Sequence, residues 1–327
     1  MRNLELSIII PTWNRKKKLI KLLKNIIFKI KNKKIKYEII VCDSFSTDGT
    51  QIEVNRNFGI NKNIFFKNIK KNNIAAKRNI GIKSSKYINV LLLDDDCLPM
   101  AQFFEVLKKE LQIKKTDVVY CGQYFTPLKL IKKSNYYKFR DEKNLKVNTS
   151  KKINNKNIIT GCCFFNKKNI YKKLLFDENI KGYGLEDVEW ASRLEQNNFK
   201  IFLTGAKVDH QETSQNIQAY VQKWFILSRD SMPTILKQKK LKILPNNILL
   251  FETFFKNSFA NPIMRFFIFF VVLPVSLILK KYLFLLDSNK VFFSKNLFSL
   301  ILKLYYFRGA AKRNKLNQSL WYKSGYK

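Results

Sequence analysis

Between residues 6 and 93 short apolar runs alternate with segments of helical period, and few folds accept that alternation. Residues 6–10 and 37–42 are aliphatic, β-branched runs closed by turn signals and read as strands. Between them, Leu19, Leu22, Leu23, Ile26, Ile27 and Ile30 recur on one face of a helix over residues 17–30. A strand near 64–66, a helix over 74–84 and a strand ending at Leu93 complete a βαβαβ series. Such a series builds a mostly parallel central sheet flanked by helices and gathers ligands at the carboxyl ends of its strands. The loops at those ends, 11–15, 43–49 and 94–96, are therefore expected to line one crevice. Residues 118–125, 158–165 and 200–204 read as further strands.

Asp94, Asp95 and Asp96 follow directly on the strand that ends at Leu93. Three adjacent carboxylates at the end of a buried strand repel one another and lose solvation, so they persist only where a cation compensates them. Oxygen ligands of this kind suit Mn2+ or Mg2+, ions that commonly accompany a diphosphate. The alternative for an isolated acidic turn is a solvated connection. Cys97, next in line, suits softer metals.

The chain has 327 residues and carries 62 Lys+Arg against 24 Asp+Glu, a net charge of +38, with a single histidine. Its 46% hydrophobic and 14% aromatic content exclude a disordered chain. The charge raises nucleic acid or an anionic membrane surface as a partner. The lysines are spread along the chain and no RNA- or DNA-binding signature occurs, which argues against nucleic acid. Cys42, Cys97, Cys121, Cys162 and Cys163 lie in or beside apolar runs without metal-site spacing, as buried free thiols do in a reducing cytosol. The first apolar run is too short for a secretory signal and is closed by Pro11.

Ser7-Ile-Ile-Ile-Pro-Thr-Trp-Asn-Arg15, Val41-Cys-Asp-Ser-Phe-Ser-Thr-Asp-Gly-Thr50, Ala75-Ala-Lys-Arg-Asn-Ile-Gly81 and Leu91-Leu-Leu-Asp-Asp-Asp96 occur in this order. Together they resemble the successive signatures of the family-two inverting glycosyltransferases of GT-A fold. The resemblance continues through Gly182-Tyr-Gly-Leu-Glu-Asp-Val-Glu-Trp190 to His210. It implies a nucleotide-diphospho-sugar transferase fold with a nucleotide-sugar-binding half over 1–97, an acceptor-binding and catalytic half over 98–216, and a helical, basic, hydrophobic appendage over 217–327.

The same resemblance assigns roles. Pro11, Thr12, Trp13, Arg15, Asp43 and Arg78 would hold the nucleotide. A tryptophan face can stack on a base and the Asp43 carboxylate can accept from a uracil N–H, so a UDP-sugar donor fits. Core packing is the other reading of Trp13, and a salt bridge to Asp43 the other reading of Arg78. Asp96 would ligate the metal, with Asp94 and Asp95 toward the ribose and the metal's waters, and His210 would close on the metal or the diphosphate. Asp187 would be the catalytic base and Glu186 would bind acceptor hydroxyls, although acids at a helix start also serve as caps. Asp48 reads as a turn or cap residue, and Glu189 as exposed or paired with Arg193.

Residues 129–156 are polar and lysine-rich and are expected to form a mobile loop over the acceptor. Residues 218–239 read as a long helix. The run 266–279, flanked by Arg265 and Lys280-Lys281, reaches about 21 Å as a helix, short of a ~30 Å hydrocarbon core, and contains Pro274. With the basic stretches 237–242 and 308–315 it reads as an interfacial or re-entrant segment, the alternative being a buried bundle helix. The expected setting is the cytoplasmic face of the cell membrane, with a lipid-linked or cell-surface glycan as acceptor. Competing readings are a processive synthase of the same fold and an inactive, basic membrane- or RNA-binding protein.

Overall fold

The computed structural model describes residues 3–113, 115–180, 182–212, 216–238, 246–256, 260–289 and 294–313. They divide into two compact units. The first comprises residues 1–127, 144–178 and 186–212, and the second 128–143, 179–185 and 213–327.

The first unit is built on β1 (Leu4–Thr12), β2 (Ile35–Asp43), β3 (Ile64–Asn68), β4 (Asn89–Leu93), β5 (Cys97–Pro99), β6 (Val118–Phe125), β7 (Lys151–Lys152), β8 (Cys162–Asn166) and β9 (Lys200–His210). They form a sheet of order β3-β2-β1-β4-β8-β6-β9-β5, with β7 on β9. The strands from β3 to β4 are parallel, as the alternating sequence requires. Strand β8 runs antiparallel between β4 and β6, and β6 and β9 are parallel again.

Alternate strand residues feed two cores. Ile8, Ile10, Leu91 and Leu93 pack with α1 (Lys16–Ile30), Val54 of α2 (Thr50–Phe58) and Phe103, Phe104 and Leu107 of α4 (Phe103–Gln112). Ile9, Val90 and Leu92 pack with Ala75 and Ile82 of α3 (Ile74–Ser84) and with Trp190 and Leu194 of the helix Glu186–Gln196. Helices thus cover both faces and leave the strand ends open. Gly81 lets α3 lie close on the sheet, since a Cβ there would come within 2.3 Å of the Ile9 side chain. The five cysteines are free and buried.

The second unit is helical. Of residues 129–156, expected to be loop, 129–131 and 135–143 lie in the helices Leu128–Ile131 and Asn135–Lys143. Their order comes from Tyr136, Tyr137 and Phe139, which bury their rings with Ile217, Val221, Leu283, Phe298 and Ile301. Asp287 supplies the cap, accepting from Ser134 Oγ at 2.7 Å and from Tyr136 N–H at 2.7 Å. The expected helix over 218–239 is interrupted by a π turn at Leu227–Ser231. Pro262–Asp287 is helical throughout, with mean hydropathy 2.3 over an 18-residue window and most of its residues exposed. At about 39 Å it is longer than the apolar run alone suggested. Pro274 is carried directly after a π turn at Ile268–Val272, a widened turn that can take a residue without an N–H. Residues 239–242 and 314–315 of the two basic stretches lie outside the described residues.

Candidate active site

Strand register brings the site together. Thr12 pairs with Asp43 at the ends of β1 and β2, and Ile9 pairs with Leu92, so the loop after β4 arrives beside Thr12. Thr12 Oγ1 donates to Asp95 at 2.8 Å. Arg15 Nη1 bridges Asp95 at 2.8 Å and Asp96 at 3.0 Å, and Lys18 Nζ lies 3.4 Å from Asp96. The Asp95 charge raises the Arg15 pKa, so the guanidinium is a permanent cation here. Burial raises the Asp95 carboxyl against the pull of Arg15. Burial also opposes ionisation of Asp96, but His210, Arg15 and Lys18 together hold it well below the usual carboxylate range. Arg15, Lys18 and His210 thus surround Asp95 and Asp96.

His210, the last residue of β9, places Nε2 3.5 Å from Asp96 Oδ1. The pairing follows from β5 and β9, in which Cys97 stands opposite His210. Asp96, Cys97 and His210 form the one group among the described residues able to hold a metal, their ligand atoms lying within 4.8 Å of one another. Burial pushes the Cys97 thiol up, so it stays protonated and the usable donors are a carboxylate and an imidazole. Such a pair can ligate a divalent metal ion. Next to His210, Asp209 accepts from Gln211 Nε2 at 2.6 Å.

Arg78, buried on α3, joins two parts of the site. Its Nη2 lies 3.1 Å from Asp94 and its Nη1 3.5 Å from Glu186, whereas an Arg78–Asp43 pair is absent from the described contacts. Asp43 instead accepts from Ser46 N–H at 2.8 Å and from the Ser46 hydroxyl, which fixes the loop after β2. Asp48 takes the capping role, accepting from the Lys16 and Thr50 N–H groups at 3.0 Å each. Pro11 is buried and Trp13 is half-buried.

Glu186 and Asp187 open the helix Glu186–Gln196. Burial, reinforced by the neighbouring Asp187 charge, pushes Glu186 up to about 7. Burial likewise raises Asp187, whose Oδ1 accepts from the Val188 N–H at 2.8 Å. Glu189 is buried and pairs with Arg193 at 2.7 Å, a structural bridge on the next turn.

Two contributors escaped the sequence reading. The Tyr124 ring stacks on His210 with centroids 4.6 Å apart and an interplanar angle of 28°. Gly161 accepts from the Asp94 N–H at 2.9 Å, and a Cβ there would fall 2.1 Å from Tyr124 Oη and 2.3 Å from Asp94 Oδ2. Both lie on central strands or their ends and carry no local motif. Only their spatial neighbours reveal them.

The model of glycosyl transferase family 2 matches residues 7–175, just over half of the chain and the segment that carries the donor-side loops. The chain belongs to this family. The GT-A fold of this family-two chain is also similar to a solved structure described as GalNAc-T7 with UDP, GalNAc and Mn2+, at a TM-score of 0.50 and 13% identity. That match covers 69% of the family-two chain and 48% of its neighbour, so the chain spans about half the neighbour's length. Such a likeness speaks for the fold. No curated protein matches the chain.

Proposed function

We propose that the protein is an inverting glycosyltransferase that moves a hexosyl or hexosaminyl group from a UDP-sugar to a lipid-linked or cell-surface glycan acceptor. The observation that carries the reading is the convergence of Arg15, Arg78, Asp94–Asp96, His210 and Glu186 at the strand ends within a family-two chain. Trp13 and Asp43 take the uracil, and Asp94 and Asp95 the ribose and the waters of the metal. A UDP- and Mn2+-bound neighbour of the same fold is consistent with this choice of donor.

The acceptor hydroxyl attacks the anomeric carbon as the bond to the β-phosphate oxygen breaks. That electron pair leaves with UDP and the hydroxyl proton passes to the Asp187 carboxylate. Glu186 orients the acceptor from the Arg78 side. Asp96 and His210 would hold Mn2+ or Mg2+, which when bound neutralises charge on the departing diphosphate. Arg15 and Lys18 add positive charge beside the same oxygens.

The exposed apolar surface of Pro262–Asp287, which also carries Arg265, Lys280 and Lys281, supports attachment at the cytoplasmic face of the membrane, near such acceptors. The test is a panel of UDP-sugars with released UDP read by mass spectrometry and the anomeric configuration of the product by NMR. Transfer with inversion is expected. Retention, or transfer from a non-uridine donor alone, overturns the assignment.

A further inference from the structure

Lys77 precedes Arg78 on α3 and has no part in the chemistry above, yet it is one of the most deeply buried charged side chains in the first unit, with 4% of its surface exposed. Its ammonium donates to the Thr12 carbonyl at 2.8 Å and to Asn72 Oδ1 at 2.8 Å. Thr12 is the last residue of β1 and starts the loop that carries Trp13 and Arg15. A buried ammonium is costly unless something nearby needs its charge. Asp43 and Asp95, at the ends of the two neighbouring strand–loop junctions, supply that need by favouring the charged form.

We propose that Lys77 is a positioning residue of the donor site, holding the Thr12 carbonyl and Asn72 Oδ1, so fixing the loop that carries Trp13 and Arg15, with its positive charge beside Asp43 and Asp95. The inference rests on the donor reading given above and adds a residue to it. A neutral side chain at 77 would leave the loop after β1 unanchored. It would also remove one buried positive charge from beside two acidic groups that face an anionic ligand.

The arrangement carries a pH signature. Burial draws the Lys77 pKa down to about 8. The charged groups facing it are Asp43 from β2, Asp95 from the triplet and Arg15 from the loop after β1. Cys42 also faces it, but burial pushes that thiol up to about 12, so it stays neutral through the range of interest. The Lys77 charge is present below pH 8 and is lost as the pH rises through that value, so donor affinity should fall on the alkaline side.

The test is calorimetric titration of the full-length protein with UDP and Mg2+ from pH 6.5 to 9, for wild type, Lys77→Met and Lys77→Arg. Wild-type affinity should weaken above pH 8, by up to about tenfold per pH unit. Lys77→Met should bind roughly tenfold or more weakly at pH 7, with no alkaline fall, so that the two curves converge near pH 9. Lys77→Arg, charged throughout, should recover affinity and lose the alkaline fall. If Lys77→Met does not fold, the contrast between wild type and Lys77→Arg decides. Equal affinities with parallel pH curves overturn the role of Lys77 while leaving the donor reading intact. Wild-type protein that binds no UDP at pH 7 overturns both.

Discussion

Arg78 holds Asp94 at 3.1 Å and so ties the acidic triplet to the helix that presents Glu186 and Asp187, because its other terminal nitrogen faces Glu186 at 3.5 Å. A guanidinium is needed for this, since only its planar fork addresses two carboxylates at once. Removing it leaves the buried Glu186 and the partly exposed Asp94 uncompensated. Arg78→Ala should cost about 3–5 kcal/mol of stability, read by denaturant unfolding, and Arg78→Lys should recover only part.

The raised Glu186 pKa has a defined effect on stability. A carboxyl whose pKa rises from 4.5 to about 7 on folding favours the native state while protonated. That contribution is complete below pH 4.5 and is lost as the pH rises through 7. Glu186→Gln keeps the neutral form at all pH values, so the variant should gain stability over wild type between pH 6 and 8 and match it near pH 4.5. Thermal melts across this range measure the difference.

How much of this was legible follows from where each signal lies in the chain. Strands β1, β2 and β4 and helix α1 announce themselves by local periodicity, α3 by the motif that holds Arg78, and the acids of the triplet by their adjacency. The helix α2 offers few apolar residues to notice, since Val54 is its one buried apolar residue while Ile52 is largely exposed. Residues 128–143 look like loop because their lysines outnumber their aromatics, and Tyr136 and Phe139 become core only against partners more than seventy residues away. Arg78 could be picked out by motif, but its bond to Asp94 rather than Asp43 depends on how α3 lies across the sheet. Tyr124 and Gly161 act through neighbours distant in sequence, which no local pattern records.

Gly161 leaves no room for a side chain. Gly161→Ala should displace Asp94 and Tyr124 and weaken UDP binding tenfold or more while the protein stays folded. Tyr124→Phe keeps the ring stacked on His210 and should retain most activity, whereas Tyr124→Leu should lose affinity for Mn2+. Metal titration followed by tryptophan fluorescence distinguishes them.

The helix Pro262–Asp287 exposes Phe266, Phe269, Phe270 and Ile278. If this surface meets lipid, full-length protein should pellet with anionic vesicles. Phe269→Glu with Phe270→Glu should release it, since charges are costly among acyl chains. High salt should weaken binding only in part, because about 1 kcal/mol per basic residue is electrostatic and the remainder is apolar area. Full-length protein that stays monodisperse without detergent and ignores vesicles contradicts the membrane assignment.

The account as a whole stands or falls on sugar transfer at the site of Asp96, Asp187 and His210. The most direct measurement is UDP release from UDP-sugars by the purified full-length protein with Mn2+, repeated with EDTA and with Asp187→Asn. The account predicts release that EDTA abolishes, and a loss of about a thousandfold or more in Asp187→Asn with UDP affinity near wild type. Release untouched by chelation, or undiminished in Asp187→Asn, would contradict it.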